Sequence, residues 1–288
     1  MRDTDAKVIK AALPHLMLHL GSAAKVEAAA PVDKRKPHQQ ELSTLLQALL
    51  RIVSSQEAYS SFVDYCGGHG IATLTGLISH PNEMVAYWAL SLVSSLVRPL
   101  TPGDAGVEYA NKQALLGPPE VSLALASLLG PDTESATGQV TNRSALIVMA
   151  VSDLFSNVLV TERSTTSPEV YHHLMEVLGG RYSVVVDMLR SPCAKVMEDA
   201  ILLMQALLYN LPEVSEKLTE TALSQALLLR HFHSACFSPS TDQRFISRHL
   251  CSIWMSGDGL GKAMLVRALP SGMMQYLKMP ALSEAELG

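Results

Sequence analysis

Two stretches decide the fold: IATLTGLISHPNEMVAYWALSLVSSLV, residues 71–97, and YSVVVDMLRSPCAKVMEDAILLMQALL, residues 182–208. Aligned on Pro81 and Pro192, they are offset by 111 residues. At that offset Val85 matches Val196, Ala89 matches Ala200, Leu92 matches Leu203 and Leu96 matches Leu207. Upstream, Leu74 matches Val185, Leu77 matches Met188 and Ile78 matches Leu189. Apolar positions spaced by four, three and four make one buried stripe on a helix. The shared pattern is a short helix, a turn at the proline and a longer helix. The proline is expected in the first turn of that longer helix, where its missing N–H costs nothing. Ala89 and Ala200 are small where a neighbouring helix would cross closely.

This is the grammar of the last two helices of an armadillo or HEAT repeat, whose period is about 40–47 residues. Each such unit must stack on its neighbours to cover its apolar face. An offset of 111 residues fits two or three units, irregularly spaced. The fold class expected is therefore all-α, an armadillo/HEAT-like α-solenoid segment. The β-branched run at residues 182–186 would tempt a strand reading, but the repeat puts it on the short helix.

Helical spacing extends outward from these stretches. Leu42, Leu45, Leu46, Leu49, Leu50 and Val53 follow it, as do residues 144–160 and 168–178. Turn signals at Cys66-Gly67-Gly68, residues 99–106, Gly117-Pro118-Pro119, Gly130-Pro131-Asp132, Gly179-Gly180, Ser238-Pro239-Ser240 and residues 257–261 separate the segments. The division expected is an N-terminal helix and linker (1–37), repeats over 38–116 and 117–213, a C-terminal helical unit over 214–280 and a tail, 281–288. Both ends are apolar-rich, with Leu13, Leu16, Met17 and Leu20 at one and Met264, Leu265, Leu269, Met273, Met274 and Leu277 at the other. A complete solenoid caps its ends with polar faces. The segment is therefore expected to expose these residues as the stacking faces of a longer array, and to self-associate.

Composition narrows the function. The chain is 48% hydrophobic and 17% charged, with mean hydropathy +0.19. That is short of the roughly 25% charge of an average soluble domain. Net charge is −5, and the one dense basic run, Lys34-Arg35-Lys36, reads as a solvated linker, so no nucleic-acid partner is expected. Four cysteines without a C-x-x-C pair read as free thiols. The longest uninterrupted apolar run is seven residues, 145–151, so a soluble, cytosolic chain is expected.

Several patterns imitate chemical sites. His15 and His19 have metal-ligand spacing but lack the glutamate of a zincin. Residues 257–262 imitate a phosphate loop but have Ser256 at the first glycine and Ala263 at the hydroxyl position. His80-Pro81-Asn82 imitates a J-domain loop with the wrong third residue, and it sits on the repeat's turn. The densest polar cluster is Arg230, His231, His233, Asp242, Arg244, Arg248 and His249, with Ser234, Cys236 and Ser247 nearby. No nucleophile motif frames it, so a hydrogen-bonded joint between two helices is expected, with Trp254 packed close by. No catalytic residue, cofactor, metal or small-molecule substrate is expected.

The C-terminal third resembles the receptor-mediated-endocytosis-eight family of very large endosomal DnaJ proteins, which has gravitropism-defective relatives in plants. The resemblance starts at Ala222-Leu223-Ser224 and runs through residues 230–237, where the family shows R-H-L-H-x-A-x-F. It continues through Asp242-Gln243-Arg244, Ser247-Arg248-His249-Leu250 and Trp254. It ends at residues 267–277, with Pro270 and Gly272, like the family's R-x-L-P-x-G-L-x-x-Y-L. Asn111-Lys112-Gln113-Ala114-Leu115-Leu116 is similar to its N-K-x-x-L-L element. Leu229 stands where the family has a proline, and the link from Arg244 to Ser247 is shorter. The resemblance implies a non-catalytic scaffold segment of an endosomal co-chaperone, peripheral on early endosomes. It acts in endosome organisation, receptor-mediated endocytosis and protein sorting. The implied partners are Hsp70, through a J-domain elsewhere, and sorting-nexin, retromer and actin-nucleation machinery. Membrane association would come through other regions. The rival readings are a stand-alone armadillo-like adaptor and a hydrolase built on His231 and His249.

Overall fold

The structure is a computed structural model, and it describes residues 3–99, 105–130, 132–133, 140–141, 144–191, 193–224, 227–239, 241–256, 263, 266–267 and 271–272. Two compact units divide it, Met1–Leu178 and Gly179–Gly288.

The first unit opens with α1 (Asp3–Ala29) and α2 (Arg35–Val53). Leu42, Leu46, Leu49 and Val53 form the buried stripe of α2. Leu13, Met17 and Leu20 are buried too. They were expected to form an open end face, but α1 packs against α2 and against α3 (Gln56–Gly76), which covers them. The C-terminal residues expected to form the other open face, 264–265, 269, 273–274 and 277, lie outside the described residues. The basic run is not a linker either. α2 begins at Arg35, whose guanidinium donates to the carbonyl oxygens of Ala30 (2.9 Å) and Ala28 (3.4 Å) and so caps the end of α1.

The turn signal at Cys66-Gly67-Gly68 is a break inside α3, where Gly67 adopts φ 58°. An L side chain rarely takes that conformation, so glycine is required there. A 3-10 turn (Leu77–Ser79) then leads to α4 (Glu83–Leu96). The three segments, two short helices and a longer one, make one repeat. α5 (Ala105–Leu116), α6 (Pro119–Leu129) and α7 (Ala145–Ser156) make a second, lengthened by a loop with a two-residue antiparallel ladder, Asp132–Thr133 with Val140–Thr141. α4 packs on both α2 and α7, and α3 packs on α5.

In chain order α8 (Pro168–Gly179), α9 (Tyr182–Met188) and α10 (Ala194–Asn210) repeat the grammar, followed by α11 (Pro212–Ser224), α12 (Leu227–Phe237) and α13 (Thr241–Ser256). Within the second unit α10 packs on α9, α11 and α13. The run at residues 182–186 is helical, as the repeat requires.

Each of the matched stripe positions is buried in both copies: Leu74, Leu77, Ile78, Val85, Ala89, Leu92 and Leu96, and Val185, Met188, Leu189, Val196, Ala200, Leu203 and Leu207. The turns correspond as well. His80 Nδ1 accepts from the Asn82 N–H at 3.0 Å, and Ser191 Oγ accepts from the Cys193 N–H at 3.2 Å. Pro81 is not in the first turn of α4. Asn82 is the N-cap, and its side-chain oxygen accepts from the N–H groups of Met84 and Val85. A side-chain carbonyl that satisfies two orphan donors makes the better cap, so the helix starts after it and the proline stays outside.

Leu203→Asp should therefore unfold its repeat, because an unpaired carboxylate replaces a fully buried side chain at a cost of several kcal/mol. A thermal melt should show a large fall in midpoint, while Tyr209→Asp, at a position 68% exposed, leaves it unchanged. An unaltered midpoint for Leu203→Asp would contradict the repeat.

Candidate functional site

The C-terminal cluster sits on α12 and α13, which pack against each other. Leu227, His231 and Ala235 are all buried, one helical turn apart on the inner face of α12. His231 is only 3% exposed, and among the described residues its Nε2 has no hydrogen-bond partner. Burial, reinforced by the charge of Arg230, pushes its pKa down to about 4. His231 is thus neutral at physiological pH.

The other members face outward or tie the turn. Arg230, His233 and His249 are exposed. The His233 ring packs on Phe237, centroids 5.2 Å apart. Arg244 donates to the carbonyl oxygens of Ser238 (2.6 Å) and Pro239 (3.2 Å) and to the Thr241 hydroxyl (3.1 Å), closing the turn from α12 to α13. Arg248 is half-buried. The side chains of Asp242 and Trp254, and Pro270 altogether, lie outside the described residues; Gly272 is in a helical turn with none of the described residues near its would-be Cβ. The cysteines here are poor nucleophiles. Burial pushes the Cys251 thiol up to about 12, and it raises Cys236 against the opposing charge of Arg248. The thiolate is the reactive form, and neither group favours it at neutral pH.

Two further polar joints lie in the first unit. Asn111, Lys112 and Gln113 each reach a different segment. Asn111 Nδ2 donates to Leu96 O at 2.9 Å. Lys112 Nζ, fully buried, donates to Glu162 O and Thr165 Oγ1, both at 2.8 Å, and pairs with Glu108 Oε1 at 2.6 Å. Ser167 Oγ donates to Gln113 Oε1 at 2.6 Å. Burial lowers the Lys112 pKa, while the carboxylates of Glu108 and Glu162 oppose the shift. The spacing of Glu108 and Lys112 could have suggested a pair, but such a pair usually lies on the surface. Here it is buried and holds the bend after α7 onto α5.

The second joint is the turn before α4. His80 Nε2 lies 3.4 Å from Glu27 Oε2; Gln39 donates to Glu27 Oε1 at 3.0 Å, and Asn82 donates to Gln39 Oε1 at 3.0 Å. Burial raises the Glu27 pKa, but hydrogen bonds from Gln39 and His80, with the charge of Arg35, outweigh it and hold the carboxyl below its usual value. His80-Pro81-Asn82 is therefore structural. His15 and His19 are both exposed, and His19 faces Glu41 of α2 at 3.3 Å. Among the described residues no group of three potential ligands is placed to hold a metal, and no helix is long and apolar enough to cross a membrane.

No known family's sequence profile matches the chain. It is 24% identical over 240 residues to DnaJ homolog subfamily C GRV2 of Arabidopsis thaliana; the match covers 80% of this chain and 9% of that protein. The chain is thus similar to a small part of a distant DnaJ subfamily C relative. Its structure is similar to a computationally designed armadillo repeat protein for modular peptide recognition (TM-score 0.59, 18% identity, 96% of this chain and 95% of that one). Two other designed armadillo repeat proteins match with TM-scores of 0.56 at 15% and 17% identity, each over 96% of this chain and 95% of its own. One of these is in complex with the peptide (KR)4. Together with the helix order, these likenesses establish an all-α, armadillo-like solenoid fold.

The joints set two expected outcomes. Removing one partner of a buried ion pair strands the other, so Glu108→Ala and Lys112→Ala should each lose about 3–5 kcal/mol in denaturant unfolding. The double change Glu108→Leu with Lys112→Met should lose far less. Single losses below about 1 kcal/mol would show the pair to be incidental. For His231 the folded pKa lies below the unfolded one, so unfolding takes up a proton between pH 6.5 and about 4. Stability is complete above that window and falls by about 3 kcal/mol as pH drops through it. His231→Gln should flatten that slope in a pH series of melts; an unchanged slope would refute the assignment.

Proposed function

We propose that the chain is a non-catalytic helical scaffold segment of an endosomal DnaJ co-chaperone, acting in endosome organisation, receptor-mediated endocytosis and protein sorting. The observation that carries this reading is the 24% identity to the plant DnaJ protein over 80% of the chain. The armadillo-like fold supports it, because stacked helices set distances and offer long side surfaces to protein partners. On this reading the Arg230–His249 cluster is architectural: His231 fills the joint, Arg244 ties the turn, and Arg230, His233 and His249 remain outside. Hsp70 would be recruited by a J-domain elsewhere in a longer protein. Sorting-nexin and retromer machinery would meet the scaffold on the cytoplasmic face of early endosomes, held there by other regions.

A stand-alone peptide-binding adaptor is the second reading, favoured by the likeness to proteins designed for peptide recognition. Depleting the transcript distinguishes the two. The co-chaperone reading expects an endocytosed fluorescent ligand to accumulate in early endosomes and the defect to be rescued by the wild-type transcript but not by Leu203→Asp. Normal ligand traffic, with no J-domain encoded on the same transcript, would leave the adaptor.

A further inference from the structure

α1 and α3 approach closely because small residues meet between them. A Cβ on Gly70 would lie 3.1 Å from Cys66 Cβ and 3.3 Å from Met17 Cε, and one on Gly21 would lie 3.6 Å from Thr73 Oγ1. Along this contact runs a groove of about 430 Å³. Leu18, 69% exposed, stands on one side of it and Tyr65, 40% exposed, on the other; Pro14 and Met17 line it. Two large apolar side chains thus stand in water beside an apolar cleft.

The polar groups of the groove sort into two kinds. The hydroxyls of Ser22 and Thr73 donate to carbonyls of their own helices, Leu18 O at 3.0 Å and His69 O at 2.9 Å. They make no demand on an occupant. Lys25 and His69 are exposed basic groups, and among the described residues no carboxylate lines the groove. The α1 wall runs from Pro14 to Lys25, about 16 Å at the helical rise, or three turns. That length suits a helix presenting anchors at i, i+4 and i+7.

The geometry points to this groove as a docking site for an acidic amphipathic helix of a partner protein, its apolar face between Leu18 and Tyr65 and its carboxylates toward Lys25 and His69. The inference deepens the scaffold reading and rests on it, by naming a surface and the chemistry of the partner it takes. The groove lies between the first and third helices of the chain, within the first unit.

The test uses the full chain and a fluorescein-labelled fifteen-residue peptide with leucine at i, i+4 and i+7 and glutamate on the other face. Fluorescence anisotropy should show saturable binding at micromolar concentrations, and hydrogen exchange should slow at residues 14–25 and 65–73. Lys25→Glu, at an exposed position, should weaken binding at least about tenfold without moving the thermal midpoint, as should lysine for glutamate in the peptide. Leu18→Asp should do the same. No saturation by about half a millimolar, equal binding of both peptides, or protection elsewhere would overturn the site. Sedimentation with phosphatidylserine vesicles that Lys25→Glu abolishes would assign the groove to a membrane and also overturn it. Failure of the peptide with the trafficking defect intact would refute the groove and leave the scaffold reading standing.

Discussion

A three-helix repeat cannot cover its own apolar stripe, and the rest of this structure answers to that constraint. In the first unit Val85, Ala89, Leu92 and Leu96 are buried because α4 is held between α2 and α7. Each fully buried leucine contributes about 1.5–3 kcal/mol over leaving it in water. The stripe is therefore worth more than any single polar contact in the unit, but it does not fix the angle at which one helix follows the next. An apolar face tolerates rotation and sliding, and directional bonds limit both.

Those directional bonds sit where the chain changes direction. Arg35 ties the end of α1, the His80–Asn82 turn ties α3 to α4, and Arg244 ties α12 to α13. The Lys112 joint is the deepest of them. Its ammonium accounts for three donors with a carboxylate, a backbone carbonyl and a hydroxyl, which is the full donor capacity of lysine. Glu108 in turn accepts from both Lys112 and Thr165. A buried charge is tolerable only when it is paired and hydrogen-bonded in this way. Asn111 and Gln113 flank it with bonds to α4's last turn and to the residue before α8, so three consecutive residues fix three segments.

The stripe was legible in the sequence because period and burial are the same fact: residues spaced by three and four share one face. The short helix at residues 182–186 was legible by its match to residues 71–75. Features that depend on side-chain chemistry were not legible. Pro81 fell outside α4 because Asn82 caps it better, a competition that spacing does not reveal. Leu13, Met17 and Leu20 are covered because α1 lies along α2 and α3, which depends on where those helices go. Glu108 and Lys112 have the spacing of an ordinary surface pair, and only the packing of the bend after α7 buries them. Within the C-terminal cluster a signal was present. His231 shares its helical face with Leu227 and Ala235, whereas Arg230 and His233 do not, and that phase alone separates the buried histidine from its exposed neighbours.

Residue-resolved hydrogen exchange under native conditions tests the central claim, that residues 71–97 and 182–208 are two copies of one buried structural unit. Amides at Ala89, Leu92 and Leu96 should exchange only through large-scale unfolding of their unit, and so should their counterparts at Ala200, Leu203 and Leu207. Amides at Ser79, His80, Arg190 and Ser191, in the two turns, should exchange much faster. Rapid exchange throughout one copy while the other stays protected would contradict the account.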